Sequence, residues 1–175
     1  MQKLYDIILT FFYVGKIKKA PGTWGSAAGL MLWLVFAAIF FIYSKSGLWQ
    51  NTFWFLFILF FTLIGARIVP KYQKQNNYKK IDHGSVVLDE VVGQITALQI
   101  VYIKVFNSYI SLSFSFLLFL LLSFILFRVL DITKPLFIGR IDRELKGGLG
   151  VFLDDLVAGV FAGLIAIILL EVIIL

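Results

Sequence analysis

Long apolar stretches separated by polar segments dominate the chain. The stretches are apolar on every face, which is typical of helices surrounded by lipid or by other helices. A membrane-spanning helix needs about 20 mostly apolar residues. Four segments approach or meet this length, at residues 26–43, 48–69, 110–127 and 156–175. The pattern therefore predicts at least four spanning helices.

Two further apolar segments differ from these four. Residues 91–106 include Gln94, Thr96, Gln99 and Lys104, so we interpret them as a spanning helix with one side facing protein. Residues 4–14 are too short to span and predict an interfacial helix. The predicted fold is all-α: a polytopic helical membrane bundle with about five spanning helices and a short N-terminal interfacial helix, in one domain over residues 1–175.

Charge divides the connecting segments into two classes. Longer polar segments at 15–25, 70–90 and 128–155 fall on one side of the predicted bundle, and short turns at 44–47 and 107–108 fall on the other. Of the 16 Lys and Arg, all but Lys45 and Lys104 lie on the side of the long segments. By the positive-inside rule that side is cytoplasmic. This topological cause of the +6 net charge argues against binding to nucleic acid.

The acidic residues are not explained by topology, because Asp and Glu contribute little to it. Two adjacent pairs, Asp89-Glu90 and Asp154-Asp155, precede similar apolar segments. Helix capping explains one carboxylate at each start, but a second adjacent one repels the first. Charges near membrane depth are costly and are functional candidates. Four carboxylates at two helix starts predict a hard cation site that suits Mg²⁺.

A second motif, residues 19–26, has the chemistry of an anion site. Gly22 exposes backbone N–H groups, Thr23 and Ser26 add hydroxyls, and Lys19 adds a positive charge. Ser26 is expected to cap the following helix, whose positive end favours phosphate. Taken alone, the motif fits a simple turn and N-cap better than a ligand site.

A third motif begins with Arg128, Asp131 and Lys134, which share one face if this segment is helical. One interpretation is an exposed ion-pair stripe outside the membrane, and the other is a cationic clamp for phosphate oxygens. Pro135 is expected to end the helix.

His83 is the one histidine of the chain, which excludes catalytic chemistry that needs two histidines and leaves a structural role open. The chain has no cysteine, which excludes disulfides and thiolate–metal sites.

Four blocks together resemble the phosphatidylglycerophosphatase A family, at residues 20–26, 82–93, 128–135 and 147–159, in the family's order. The chain departs from the family's usual pattern at Leu130, Leu136-Phe137 and Phe152-Leu153, and none of these removes a charged group. The resemblance implies a Mg²⁺-dependent lipid phosphatase. It would hydrolyse phosphatidylglycerophosphate to phosphatidylglycerol and phosphate, in phospholipid biosynthesis at the bacterial inner membrane.

We expect the following division of roles. Asp89, Glu90, Asp154 and Asp155 hold one or two Mg²⁺ and are catalytic.

Arg128, Lys134 and Lys19 neutralise the phosphate of the phospholipid substrate, which Gly22, Thr23 and Ser26 cradle. His83 or Asp131 protonates the leaving alkoxide or orients water, and an aspartyl-phosphate intermediate stays open.

Three other functions compete with this hypothesis. A small cation-conducting protein would distribute charges through the membrane, whereas here, apart from Lys45 in a short turn, only Lys104 and Glu171 lie away from the helix ends of one side. A phosphatase of another lipid phosphate, such as phosphatidic acid or a polyprenyl phosphate, is poorly distinguished by sequence. A catalytically inactive scaffold would be expected to lack one acid pair. The sequence leaves a homo-oligomer open.

Overall fold

A computed structural model describes residues 2–43, 47–78, 83–105 and 114–174 of the chain. Within these ranges the chain is helical, with no strand. Seven α-helices follow one another: α1 (Gln2–Leu9), α2 (Pro21–Tyr43), α3 (Gly47–Gln75), α4 (Leu88–Val105), α5 (Phe114–Thr133), α6 (Leu136–Glu144) and α7 (Gly148–Ile174). A short 3₁₀ turn lies at Val14–Lys16. The predicted all-α fold is confirmed.

Four of these helices are long and apolar enough to cross a membrane: Pro21–Tyr43, Gly47–Gln75, Ser115–Thr133 and Gly148–Ile173. Their outward surfaces carry large exposed apolar side chains, such as Phe41, Phe55 and Ile168. A soluble protein would not expose a belt of this kind, so these surfaces face lipid. The membrane-bundle prediction is confirmed.

Helix α4 lies in the centre and packs against α2, α3, α5 and α7. Every residue from 91 to 99 is buried. We predicted one protein-facing side, and the structure instead surrounds this part of the helix with protein. Its polar side chains require this, because lipid offers no hydrogen-bond partners. Trp33 Nε1 donates to Gln99 Oε1 at 3.0 Å, and Gln99 Nε2 donates to Asn51 Oδ1 at 2.6 Å.

Helices extend beyond the predicted apolar segments at the charged end of the bundle, most clearly α2, α3 and α7. Helix α2 begins at Pro21, because proline fits the first helical position. Helix α3 continues through Pro70 to Gln75. Helix α7 begins at Gly148 rather than near residue 156, directly after Gly147, which has a φ of +102°.

The early start of α7 corrects the interpretation of the second acid pair. Asp154 and Asp155 lie in the second turn of α7 and not at its start. Asp89 and Glu90 do lie in the first turn of α4, as predicted. Capping therefore cannot account for Asp154 and Asp155.

Helix α6 is a correction as well, because no helix was predicted between Pro135 and the start of α7. Helix α5 ends at Thr133, just before Pro135, as predicted, and α6 begins directly after this proline. The short helix is amphipathic: Ile138 is buried while Phe137 and Arg140 are exposed. It therefore packs on the charged end of the bundle with one polar face.

The N-terminal segment closes the same end. Helix α1 ends at Leu9, whose carbonyl accepts a hydrogen bond from Val87 N at 2.9 Å. Asp6 pairs with Lys16 and accepts a hydrogen bond from Tyr72 Oη at 2.8 Å. These contacts tie α1 to α3 and to the approach to α4. The predicted turns at 44–47 and 107–108 lie at least partly outside the described residues.

Candidate active site

Three carboxyl groups meet where α4 and α7 cross. Asp89 and Glu90 come from the first turn of α4, and Asp155 comes from the second turn of α7. Each offers one carboxylate oxygen, and these three oxygens lie within 4.8 Å of one another. Asp89 is 5% and Asp155 4% exposed. The three residues are called the acid cluster below.

Glycines allow the two helices to approach closely enough to form the cluster. A Cβ atom at Gly93 would lie 2.8 Å from the Asp155 carbonyl oxygen and 2.6 Å from Phe127 Cε2. A Cβ atom at Gly159 would overlap the Gly93 carbonyl oxygen and lie 3.1 Å from Thr96 Cβ. Any larger side chain at these two positions would separate α4 from α7 and withdraw Asp155 from Asp89 and Glu90.

The acid cluster is electrostatically unfavourable without a counter-charge. Burial removes the solvation of the carboxylates, and their mutual repulsion adds to that cost. The start of α4 supplies a partial positive charge, and Arg128 is near enough to interact with Glu90. Among the described residues, Glu90 Oε2 is buried with no hydrogen-bond partner. A small hard cation would satisfy this oxygen and the charge together, so the donor set fits Mg²⁺.

Arg128 borders the acid cluster on the side of α5. Its Nη1 donates to Asp131 Oδ2 at 2.5 Å and to Ser26 Oγ at 3.3 Å. Asp131 is close enough to Glu90 and Asp155 for their charges to interact. The guanidinium is thus fixed by two partners beside the cluster, with its side chain 14% exposed.

The start of α2 lies against the same groups. A Cβ atom at Gly22 would lie 3.2 Å from Arg128 Nη2 and would overlap Glu90 Oε1. Ser26 does not cap α2, contrary to expectation, because the helix begins five residues earlier. Its hydroxyl instead donates to the Gly22 carbonyl oxygen at 3.0 Å. The positive end of α2 therefore lies at Gly22 and Thr23, beside Arg128.

Asp154 faces a different partner from its neighbour. Lys134 Nζ pairs with Asp154 Oδ2, and the two side chains are 25% and 3% exposed. Lys134 follows α5 directly and adopts a left-handed φ of 42°, which is uncommon for a residue with a side chain. The four acids predicted to bind metal therefore divide into the acid cluster and a buried acid–lysine pair.

The chain is similar to known proteins over most of its length. The model of the phosphatidylglycerophosphatase A family matches residues 7–170. The chain belongs to this family. Its relatives include phosphatidylglycerophosphatase A of Haemophilus influenzae, 32% identical over 86% of this chain and 79% of the relative. The corresponding Escherichia coli protein is 28% identical over 93% and 81%.

A third relative bears a different name. The putative phosphatidylinositol-3-phosphatase of Bacteroides thetaiotaomicron is 30% identical over 89% of this chain and 87% of the relative. No solved structure matches the chain. Membership of the phosphatidylglycerophosphatase A family makes the chain an enzyme of the phosphatase class that acts on a phospholipid.

The remaining predicted residues lie around the edge of the candidate site. Thr23 is half-buried in the first turn of α2, and Lys19 is exposed just before that helix. The His83 ring stacks on Tyr78, with ring centroids 3.6 Å apart, and its Nδ1 lies 2.9 Å from Ser85 Oγ. These contacts hold the imidazole without linking it to the acid cluster, so a catalytic His83 stays a prediction.

Sequence reasoning gave Gly93 no role of its own. The structure gives it a packing role at the candidate site, because a Cβ atom there would not fit into the α4–α7 crossing. The sequence did contain a signal for this close packing: Gly93 follows an acid pair by one turn, in a helix otherwise rich in large residues.

Proposed function

We propose that this chain removes the terminal phosphate of phosphatidylglycerophosphate in a Mg²⁺-dependent hydrolysis, giving phosphatidylglycerol and phosphate. The names of the Haemophilus influenzae and Escherichia coli relatives support the substrate. The single structural observation that carries the proposal is the acid cluster bordered by Arg128 and the start of α2. Carboxylates for a metal and cations for a phosphate are the two requirements of this reaction.

Asp89, Glu90 and Asp155 would hold the metal. When bound, Mg²⁺ would polarise the phosphoryl oxygens and lower the pKa of a bound water. Arg128 would neutralise phosphate charge from a position that Asp131 and Ser26 already fix, so little reorientation is needed on binding. The N–H groups at the start of α2 would add further donors.

Lys134 and Lys19 would supplement this positive charge. Lys134 is anchored by Asp154, whereas Lys19 is exposed before α2. Asp131 lies close enough to the cluster to act as the group that protonates the leaving alkoxide or orients water. A water nucleophile and an aspartyl-phosphate intermediate are both compatible with this set.

The membrane arrangement suits a lipid substrate. The acyl chains would stay among the lipid-facing helices while the head group reaches the polar end of the bundle. By the distribution of Lys and Arg, that end would lie on the cytoplasmic side of a bacterial inner membrane. The product would enter phospholipid biosynthesis there.

Phosphate release by the purified full-length protein in mixed micelles tests the proposal. The substrates are phosphatidylglycerophosphate, phosphatidic acid and phosphatidylinositol 3-phosphate, each with Mg²⁺ and with EDTA. We expect Mg²⁺-dependent release that is fastest with phosphatidylglycerophosphate. Undiminished release in EDTA would contradict the metal, and faster release from phosphatidylinositol 3-phosphate would favour the activity named for the Bacteroides thetaiotaomicron relative.

A further inference from the structure

A buried amide close to the acid cluster is not used by the proposed mechanism. The Gln94 side chain is 0% exposed, and neither its Nε2 nor its Oε1 has a hydrogen-bond partner among the residues that the structure describes. An amide buried at membrane depth normally finds a partner, since leaving donor and acceptor unsatisfied is unfavourable. Gln94 is therefore a candidate for contact with a ligand.

Gln94 lies one helical turn after Glu90 and on the same side of α4. A Cβ atom at Gly25 of α2 would lie 3.5 Å from Glu90 Cβ, and one at Gly29 would lie 3.4 Å from Gln94 Cβ. Four residues correspond to about 6 Å along a helix axis. Helical side chains lean toward the N-terminus, so the Gln94 amide is directed toward the level of Glu90.

A hydroxyl on α5 lies at a similar depth. Ser123 is 0% exposed, and its Oγ has no hydrogen-bond partner in the described parts of the chain. It lies midway along α5 between Phe119 and Phe127. The ring centroids of Phe119 and Trp33 are 5.8 Å apart, and Phe127 borders Gly93. This register places Ser123 at the same level of the bundle as the part of α4 between Gly93 and Gln99, the hydrogen-bond partner of Trp33. Gln94 falls within that part.

The chemistry of an amide selects among possible ligand groups. A metal ion would use only the amide oxygen, and a phosphate would use only the NH₂ group. An alcohol hydroxyl both donates and accepts, so it can satisfy both amide atoms. In phosphatidylglycerophosphate the head-group glycerol carries one free hydroxyl, on the carbon next to the one that bears the terminal phosphate. A phosphate at the acid cluster would therefore bring that hydroxyl close to Gln94.

We propose that Gln94, assisted by Ser123, binds the free glycerol hydroxyl of the head group and makes the enzyme selective for it. This inference rests on the proposed function, because it requires the terminal phosphate to bind at the acid cluster. It assigns head-group selection to the α2–α4–α5 contact below that cluster.

The test compares phosphatidylglycerophosphate with an analogue whose head group is propanediol phosphate and lacks the hydroxyl. The wild-type enzyme is expected to prefer the natural lipid by about 10- to 100-fold in kcat/KM, because the analogue leaves the amide unpaired. Gln94→Met, which keeps the volume, should lose most of that preference. It should act on the analogue within about 3-fold of wild type.

Gln50→Met is the matched control. Gln50 is another buried glutamine with an unpartnered Nε2, but it lies at the opposite end of α3 from the charged end of the bundle. This variant should keep the wild-type preference. If Gln94→Met does not purify as a folded protein, Ser123→Ala serves instead, since it removes one oxygen atom and should reduce the preference in the same direction.

Two results would overturn the inference while leaving the proposed function in place. One is equal kcat/KM of the wild-type enzyme on both lipids, and the other is an equal loss on both lipids in Gln94→Met, as a purely structural role would give. Absence of wild-type activity on both lipids would instead contradict the proposed function.

Discussion

Neighbouring residues in this site have different surroundings although their chemistry is nearly the same. Successive residues of a helix point about 100° apart, so the neighbouring acids Asp154 and Asp155 need not share a partner. Asp155 joins Asp89 and Glu90, whereas Asp154 meets Lys134. The two aspartates are therefore expected to respond differently to substitution.

The Asp155→Asn change should reduce Mg²⁺-dependent phosphate release by at least about 100-fold, because the amide removes one of the three anionic ligands that we propose for the metal. The protein should still insert and fold, since the change relieves repulsion within the cluster. Phosphate release in micelles, together with size-exclusion chromatography, measures both effects.

Glu171→Gln is the control for the same chemical change elsewhere. Glu171 forms an exposed ion pair with Lys104, 3.3 Å apart, and this variant should keep wild-type activity. Full Mg²⁺-dependent turnover by Asp155→Asn would remove this residue from the metal site.

The Lys134→Met change should lower both activity and stability. It removes a cation near the phosphate and a charged partner of the buried Asp154 carboxylate, so we expect a stability loss of about 2 kcal/mol, less than for a fully buried pair. Adding Asp154→Asn should recover stability but not kcat/KM, as measured by tryptophan fluorescence during unfolding and by phosphate release.

Arg140→Met provides the comparison for that variant. Arg140 and Glu144 form an exposed ion pair, 3.9 Å apart, so the loss of this pair should change neither the stability nor kcat/KM. A wild-type kcat/KM in Lys134→Met at low substrate would show that Lys134 serves only to pair with Asp154.

At the scale of elements, the crossing of α4 and α7 creates the site. These helices contribute all three residues of the acid cluster, and their separation is set by Gly93 and Gly159. The central position of α4 also buries Gln94 and Gln99 against protein, which a lipid-facing helix could not do.

The Gly93→Ala change should therefore destabilise the protein by about 1–3 kcal/mol and reduce activity together, because the added methyl group meets Phe127 and the Asp155 backbone. Chemical unfolding in detergent and phosphate release measure the two effects. Gly84→Ala is the control, since its Cβ would meet only Pro21 Cγ, at 4.0 Å. Wild-type stability in Gly93→Ala would mean that the crossing is looser than described.

At the scale of the whole molecule, one end of the bundle carries most of the charged residues. The starts of α2, α4 and α7 and the end of α5 meet at the charged end, together with α1 and α6. A head group and its phosphate would be bound there, and the rest of the bundle would be surrounded by lipid.

Cysteine labelling tests the proposed orientation, because the chain has no native cysteine. Glu144→Cys lies at the charged end, where the side chain is 70% exposed, and Tyr43→Cys lies at the other end, where the residue is 84% exposed. In intact spheroplasts a membrane-impermeant maleimide should label Tyr43→Cys and should label Glu144→Cys only after lysis. The reverse pattern would place the site outside the cytoplasm.

The sequence by itself determined the membrane fold, the charged end and the residue types of the site. Apolar length and charge placement act locally along the chain, so they could be read without coordinates. Tertiary structure decided that Asp155 rather than Asp154 joins Asp89 and Glu90, that α4 is enclosed, and that Gln94 lies below the acid cluster. These facts depend on which faces of α2, α4, α5 and α7 approach one another. That choice is made by close packing at glycines far apart in sequence, and no single segment contains it.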